Sequence, residues 1–369
     1  MRIIAFVGGL ILILVVLLDA FETVVLPRRV SHRFRLTARF YDGTWNLWRA
    51  ATRRWTSGRY RESVLAFYGP VAVLGLLVVW DVLLIFGFTG LLWSMEISAL
   101  NGPGQVLDFK TDLIASASSF ITVGFGYITP STLWGQGVLI VEGGMGLAFL
   151  ALVIGYLPAV YQAFAQREAN ITMMDARAGS PPTAMEALRR CSIEDACADA
   201  SKFLADWENW SAQLLETHLS YPQLAFYRSQ HENQSWLAAL AAILDTSALI
   251  SIGIDGIPQK QGRLTFAMAR HTIVDLAQIF QVPPNESGAD RLSEADFDYM
   301  QSELKQVGFC LQEGSDIFVK LYDLRLLYEP YLTALADRFL MPIPGWFPEN
   351  EVLDNWQTTA WAGRGIVRL

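Results

Sequence analysis

The sequence predicts an all-α membrane protein, and three observations predict it. Long apolar runs crowd the first 165 residues. Apolar residues recur at helical spacing in the remainder, with few strand signals. Charge divides at the same place. Between residues 27 and 62, ten arginines stand against two acids, Asp42 and Glu62, a net +8. From 166 to 369, 16 basic residues meet 27 acidic ones, a net −11. The overall charge of −8 describes neither part. An acidic soluble region with no basic tract argues against nucleic-acid partners. Its three cysteines, Cys191, Cys197 and Cys310, form no CxxC pair and read as reduced thiols.

The elements follow in order. Residues 3–26 form a first span. As a helix they reach about 36 Å, enough for a ~30 Å hydrocarbon core. A secretory signal peptide is the rival reading. It fits poorly, because Leu18-Asp19-Ala20 places Leu where cleavage wants a small residue. Cleavage would also export the arginine-rich stretch. The second span lies within 64–95, with a core of 70–95 and Pro70 in its first turn. The third runs from 133 to 165. The arginines between spans one and two mark a cytoplasmic loop, which puts the N-terminus outside and residues 166–369 inside, in a cell (inner) membrane. Aromatic residues among those arginines suit a helix lying at headgroup level, and a solvated orientation signal is the equal alternative. The expected divisions are 1–26, 27–62, 63–165 and 166–369.

The informative segment is 112–130, DLIASASSFITVGFGYITP. Residues 112–121 read as a helix of about 15 Å, too short to cross, with Asp112 at its start. Thr122-Val123-Gly124-Phe125-Gly126 follows. This loop resembles the potassium-channel selectivity filter, and residues 64–165 resemble the two-span pore module of bacterial potassium channels. The resemblance leaves out the first span and the soluble region. It implies a homotetramer in a lipid bilayer, with K+ ions held by the backbone carbonyls of residues 122–126. Carbonyls aimed at one axis need alternating backbone handedness, so Gly124 and Gly126 are expected at positive φ. The short helix would point its negative end at the cation.

The chain departs from that family at the filter's flanks. Tyr127 stands where an acid is common, Ser118 where some members carry Glu, and Ile121 where a second Thr is usual. Ser118, Tyr127 and Glu142 are the expected supports. In the last span the resemblance places a gating hinge at Gly146. Gly143, Leu147, Leu150, Ile154 and Pro158 share a face assigned to the cavity, narrowest at Ile154 or Pro158. Asp19, Asp81 and Glu142 are costly in a bilayer and are functional candidates. Asp19 and Glu22 can pair with Arg28 and Arg29. Glu142 is expected behind the short helix near Ser118, or in the cavity, and to matter more than Asp19. Asp81 has no obvious partner.

The soluble region predicts helices over 183–220, 231–254, 264–280, 294–311 and 316–340. Trp207, Trp210, Trp236 and Phe266 read as core, and His218 and His231 lack ligand spacing. No GxGxxG turn, β-roll pattern or acid–base constellation is found, so neither an enzyme nor an organic cofactor is expected. A regulatory ligand of this region is not legible. The remaining alternatives are a weakly selective cation channel of the same fold and a non-conducting signalling scaffold.

Overall fold

A computed structural model describes every residue except 27–34, 56–58, 96–107, 127–129, 131, 192–195, 232, 289, 312–315, 349–353 and 358–369. The described residues form helices joined by turns and loops, with an isolated bridge between Ile254 and Leu311. The chain forms two compact units, Met1–Gln162 and Ala163–Leu369.

The first unit contains α1 (Arg2–Val24), α2 (Leu36–Trp55), α3 (Arg59–Ser94), α4 (Phe109–Phe120) and the first part of α5 (Leu133–Ala178). α1, α3 and α5 are long and apolar enough to cross a membrane. With its 36 residues, α3 extends about 54 Å, well beyond one hydrocarbon core. Pro70 therefore falls inside α3 and not in its first turn, because the chain is helical from Arg59 onward. α1 and α3 cross at close quarters. A Cβ on Gly9 would sit 2.5 Å from the Gly87 carbonyl oxygen, and one on Gly90 would lie 3.2 Å from that of Ala5. In lipid, where apolar burial gives helices little reason to associate, such contact supplies the packing.

α2 has a face of its own. Tyr41 and Trp45 are buried, and the Trp45 ring lies 4.8 Å from that of Tyr68 on α3. Tyr68 donates to the Tyr41 carbonyl at 3.0 Å, and Trp48 to that of Val64 at 3.3 Å. Asp19, near the end of α1, accepts the Thr37 N–H at 3.1 Å, the Thr37 hydroxyl at 2.6 Å and the Trp80 indole N–H at 2.9 Å. It thus caps the N-terminus of α2 from another helix and ties in α3. The partners expected for Asp19, Arg28 and Arg29, lie outside the described residues, while Glu22 lies 3.9 Å from Arg35.

The second unit holds the end of α5, then α6 (Ala184–Arg189), α7 (Ala196–Ser220), α8 (Trp236–Gly253), α9 (Gln259–Ile279), α10 (Glu294–Gln306), α11 (Ile317–Leu326) and α12 (Glu329–Phe339). Two expected helices are each divided. The 183–220 segment becomes α6 and α7, with Thr183 capping α6 through the Glu186 N–H. The 316–340 segment breaks at Leu327 and Tyr328, just before Pro330 at the start of α12. The others shift at their ends. Ser235 caps α8, α9 begins at Gln259, and α10 stops at Gln306. α8 is apolar enough to be a fourth candidate span, but 89% of its apolar window is buried inside the protein. Its hydrophobicity is satisfied by the core. Trp207, Trp210, Trp236 and Phe266 are buried as well.

Candidate pore loop and its supports

The short helix α4 begins earlier than its sequence suggested. Asp108 caps it, accepting the Thr111 N–H at 3.0 Å and hydroxyl at 2.7 Å, and Asp112 is buried in the first turn. Its C-terminus shapes the loop. Thr122 N–H donates to the Ser119 carbonyl at 3.0 Å, and Val123 N–H to that of Ser118 at 2.9 Å. With Thr122 at φ 57°, these two bonds make a Schellman motif. Gly124 N–H also reaches the Ser118 carbonyl, at 3.1 Å. Three successive loop donors are thereby committed to the helix end.

This geometry corrects two expectations. Positive φ occurs at Gly124 (62°), as expected, but at Thr122 instead of Gly126. The helix termination demands a left-handed residue directly after Ile121, and the chain supplies Thr there. Ser118 supports the loop through its backbone carbonyl, while its hydroxyl turns back to the Ala115 carbonyl at 3.2 Å. Tyr127 lies outside the described residues. Val123 and Phe125 are exposed on the single chain.

Glu142 lies behind α4, and its partner is Ser116 instead of Ser118. The Ser116 hydroxyl lies within hydrogen-bond reach of both Glu142 Oε1 and the Ile85 carbonyl on α3, the latter at 3.0 Å, and its single proton can go to either. Ser116 and Glu142 are fully buried. Glu142 Oε2 has no hydrogen-bond partner among the described residues. Ser119 adds a second tie to α5, donating to the Leu139 carbonyl at 2.7 Å. Asp81 is half-buried with no polar partner among the described residues.

Gly146 acquires a packing role. A Cβ built there would lie 1.8 Å from the Phe120 carbonyl oxygen and 2.8 Å from its carbon. The last turn of α4 can rest on α5 only because Gly146 has no side chain. Beside it, Phe120 and Phe149 rings stand 6.3 Å apart, and Trp80 meets Phe149 edge-on at 6.4 Å. Leu147, Leu150 and Ile154 are exposed on α5, whereas Phe149, Tyr156 and Val160 are buried. α5 remains helical through Pro158, whose missing N–H leaves the Ile154 carbonyl without its i+4 donor.

Sequence reasoning missed Ser116, Ser119, Phe120, Trp80, Phe149 and Thr37. The small-residue run Ala115-Ser116-Ala117-Ser118-Ser119 signalled a close helix contact, but not which hydroxyl faces which neighbour. No group of three or more His, Cys, Asp or Glu able to hold a metal occurs among the described residues.

No curated protein and no solved structure matches the chain. Over residues 78–163, from the middle of α3 through α4 and the loop to the helix α5, the chain matches the family model described as an ion channel.

Proposed function

We propose that the chain is one subunit of a homotetrameric potassium channel whose filter is the 122–126 loop. The observation that carries this reading is the helix-to-loop junction. A helix of 12 residues, too short to cross, ends in a loop whose donors at Thr122, Val123 and Gly124 fold back onto Ser118 and Ser119. With those donors engaged, the carbonyls of residues 122–126 are the groups available to replace a cation's water. Four copies around an axis complete each ring. The exposed face of Leu147, Leu150 and Ile154 then lines a cavity, with Ile154 and Pro158 at its narrow end. The N-terminus lies outside and residues 166–369 are cytoplasmic. Potassium passes down its gradient as the cargo, and no covalent chemistry is required.

The test is the potassium-over-sodium reversal potential of purified protein in planar bilayers, with Gly124→Ala beside wild type. Wild type is expected to select potassium. Gly124→Ala, which forces an L side chain to φ 62°, is expected to lose conduction or selectivity, at a backbone cost of about 1–2 kcal/mol per subunit. Sodium passing as readily as potassium establishes the weakly selective alternative. Absent flux from a monomeric or dimeric particle establishes the scaffold.

A further inference from the structure

Residues 354–357 bring the chain back to the end of α5, and they are fastened differently from the residues before them. Phe339, Met341 and Trp346 are almost wholly buried, so the apolar core of the second unit holds the chain as far as Trp346. Within 354–357 only Asp354 is buried. Asn355 and Gln357 are half-buried, and Trp356 is 41% exposed. What ties this segment down is polar, and it converges on Asp175 in the last turn of α5 and on Arg190 just after α6.

Asp175 is buried. Its Oδ1 accepts the Asn355 N–H at 3.2 Å and the Gln234 side-chain amide at 3.3 Å, and its Oδ2 accepts the Trp356 N–H at 3.0 Å. Two of these three donors belong to the segment. Arg190 donates to the carbonyls of Asp175 and Ala176 at 3.0 and 3.1 Å, where a cation suits the C-terminal end of α5. The same guanidinium pairs with Asp354 at 2.8 Å and with Glu186. Asn355 also donates to Ser180 Oγ at 2.8 Å. The segment is shaped by its own bonds: Gln357 accepts the Asp354 N–H, and Asp354 accepts the Trp356 indole, both at 3.1 Å. Arg190 thus calls for an acid, and Asp175 for backbone donors. A segment held by charge-assisted bonds with little apolar burial opens at far lower cost than the core beneath it.

We propose that Asp175 and Arg190 form a docking site for a short peptide segment in which an acidic residue precedes two backbone N–H groups, and that residues 354–357 fill it as a detachable latch. While docked, the chain's own segment excludes any other of that chemistry from the end of α5. Every residue involved belongs to the second unit, so the proposal goes beyond the channel reading and is tested apart from it.

Hydrogen exchange of the purified full chain tests the latch. The Asn355 and Trp356 amides are expected to exchange at least about tenfold slower than in a free peptide of residues 351–360, and at least about a hundredfold faster than those of the buried helix α8. Asp354→Ala removes the partner of Arg190. It should speed exchange of the segment about tenfold and leave α8 and the unfolding midpoint unchanged. The labelled 351–360 peptide tests the site. It is titrated into full-length Asp354→Lys, whose own segment meets Arg190 with a like charge. This variant should bind the peptide at least about tenfold more tightly than wild type, where the tethered segment competes. Adding Arg190→Gln should abolish that binding, and a peptide with Asp354→Asn should bind about tenfold more weakly. Asp354→Ala takes the place of Asp354→Lys in the titration if the latter fails to fold. Segment amides that exchange only together with α8 overturn the latch. Equal binding of the two peptides, or no binding at millimolar peptide, overturns the docking site.

Discussion

In the first unit Asp19 and Glu142 are buried carboxylates answered by neutral donors: a backbone N–H, hydroxyls and an indole. In the second unit Asp245, equally buried, is gripped by Arg291 through two parallel bonds of 3.1 and 2.6 Å and by the Tyr328 hydroxyl at 2.6 Å. Glu329 joins Arg291 to Arg325, which also pairs with Asp290 and donates to the Leu292 carbonyl. Tyr328 is pushed well above its ordinary pKa by burial and by the neighbouring carboxylates, so it remains a donor. The difference teaches how each setting affords polarity. A helix in lipid satisfies an acid with the donors its neighbours already carry. The core of the second unit brings in Arg291 from a loop and Arg325 from α11 and closes a network.

Breaking the network of the second unit should give the largest effect. Arg291→Met leaves the Asp245 carboxylate buried without its cation, at about 3–5 kcal/mol. The expected result is a lower unfolding midpoint of the purified full chain. Adding Asp245→Leu should recover most of the loss, because an apolar pair of similar volume tolerates the site. If the single variant melts like wild type, these charges have access to water and the contrast between units dissolves.

Gly146→Ala comes next. The added carbon meets backbone atoms of Phe120, which cannot rotate away, so α4 must move. Overpacking of this kind costs about 1–3 kcal/mol. Assembly and potassium flux should both fall, while Gly144→Ala, with open space around it, should match wild type. A Gly146→Ala protein that assembles normally but opens differently would favour the hinge reading instead.

The two membrane carboxylates can be ranked against each other. Asp19→Asn replaces an anion that accepts from three donor groups, and hydrogen bonds to charged groups contribute about 1.5–3 kcal/mol. Glu142→Gln keeps an acceptor for Ser116 and disturbs one such bond where Asp19→Asn disturbs three. Asp19→Asn is therefore expected to lower thermal stability and flux more than Glu142→Gln. This reverses the sequence-based ranking, which gave Glu142 the greater weight because Ser118 and Tyr127 leave the 122–126 loop without the acidic supports common in that family. Equal effects would mean that the α2 cap is dispensable.

That reversal marks where the sequence stops being legible. The all-α membrane class was readable because apolar length is local. The spans, the short helix and the 122–126 loop were likewise legible as consecutive residues. What lay across helices was not. Asp19 and Trp80 are 61 residues apart, and Ser116 and Glu142 are 26 apart, so nothing in either neighbourhood announces the other. Gly146 suggested a flexible point, yet its contact depends on where Phe120 ends α4. The left-handed residue was sought among glycines because glycine carries no Cβ penalty. The Schellman closure put it at Thr122, where the helix stops. In the second unit the divided helices were missed because the local pattern stays helical on both sides of each break.

The smallest effect expected concerns a third way of burying a polar group. His218 on α7 is buried, its Nδ1 sits 2.8 Å from the Leu214 carbonyl, and its Nε2 has no partner among the described residues. Nδ1 therefore carries the proton and the ring is neutral. Burial, with the Arg167 guanidinium adding to it, pushes the His218 pKa down to about 3. An unfolded chain titrates near 6.5, so below that pH the unfolded state binds a proton that the folded state refuses. The stability given by neutral His218 is complete above about pH 6.5 and declines as pH falls toward about 3. Between pH 7 and 5 the loss should reach about 1–2 kcal/mol. Unfolding midpoints at the two pH values should therefore diverge less in His218→Gln than in wild type. His231→Gln, at an exposed position, should leave the divergence unchanged. Carboxylates titrate in the same window, but they do so equally in all three proteins, and the difference between variants isolates the imidazole. If His218→Gln keeps the wild-type pH dependence, the ring takes up a proton without unfolding, and the buried neutral histidine is not what the second unit contains.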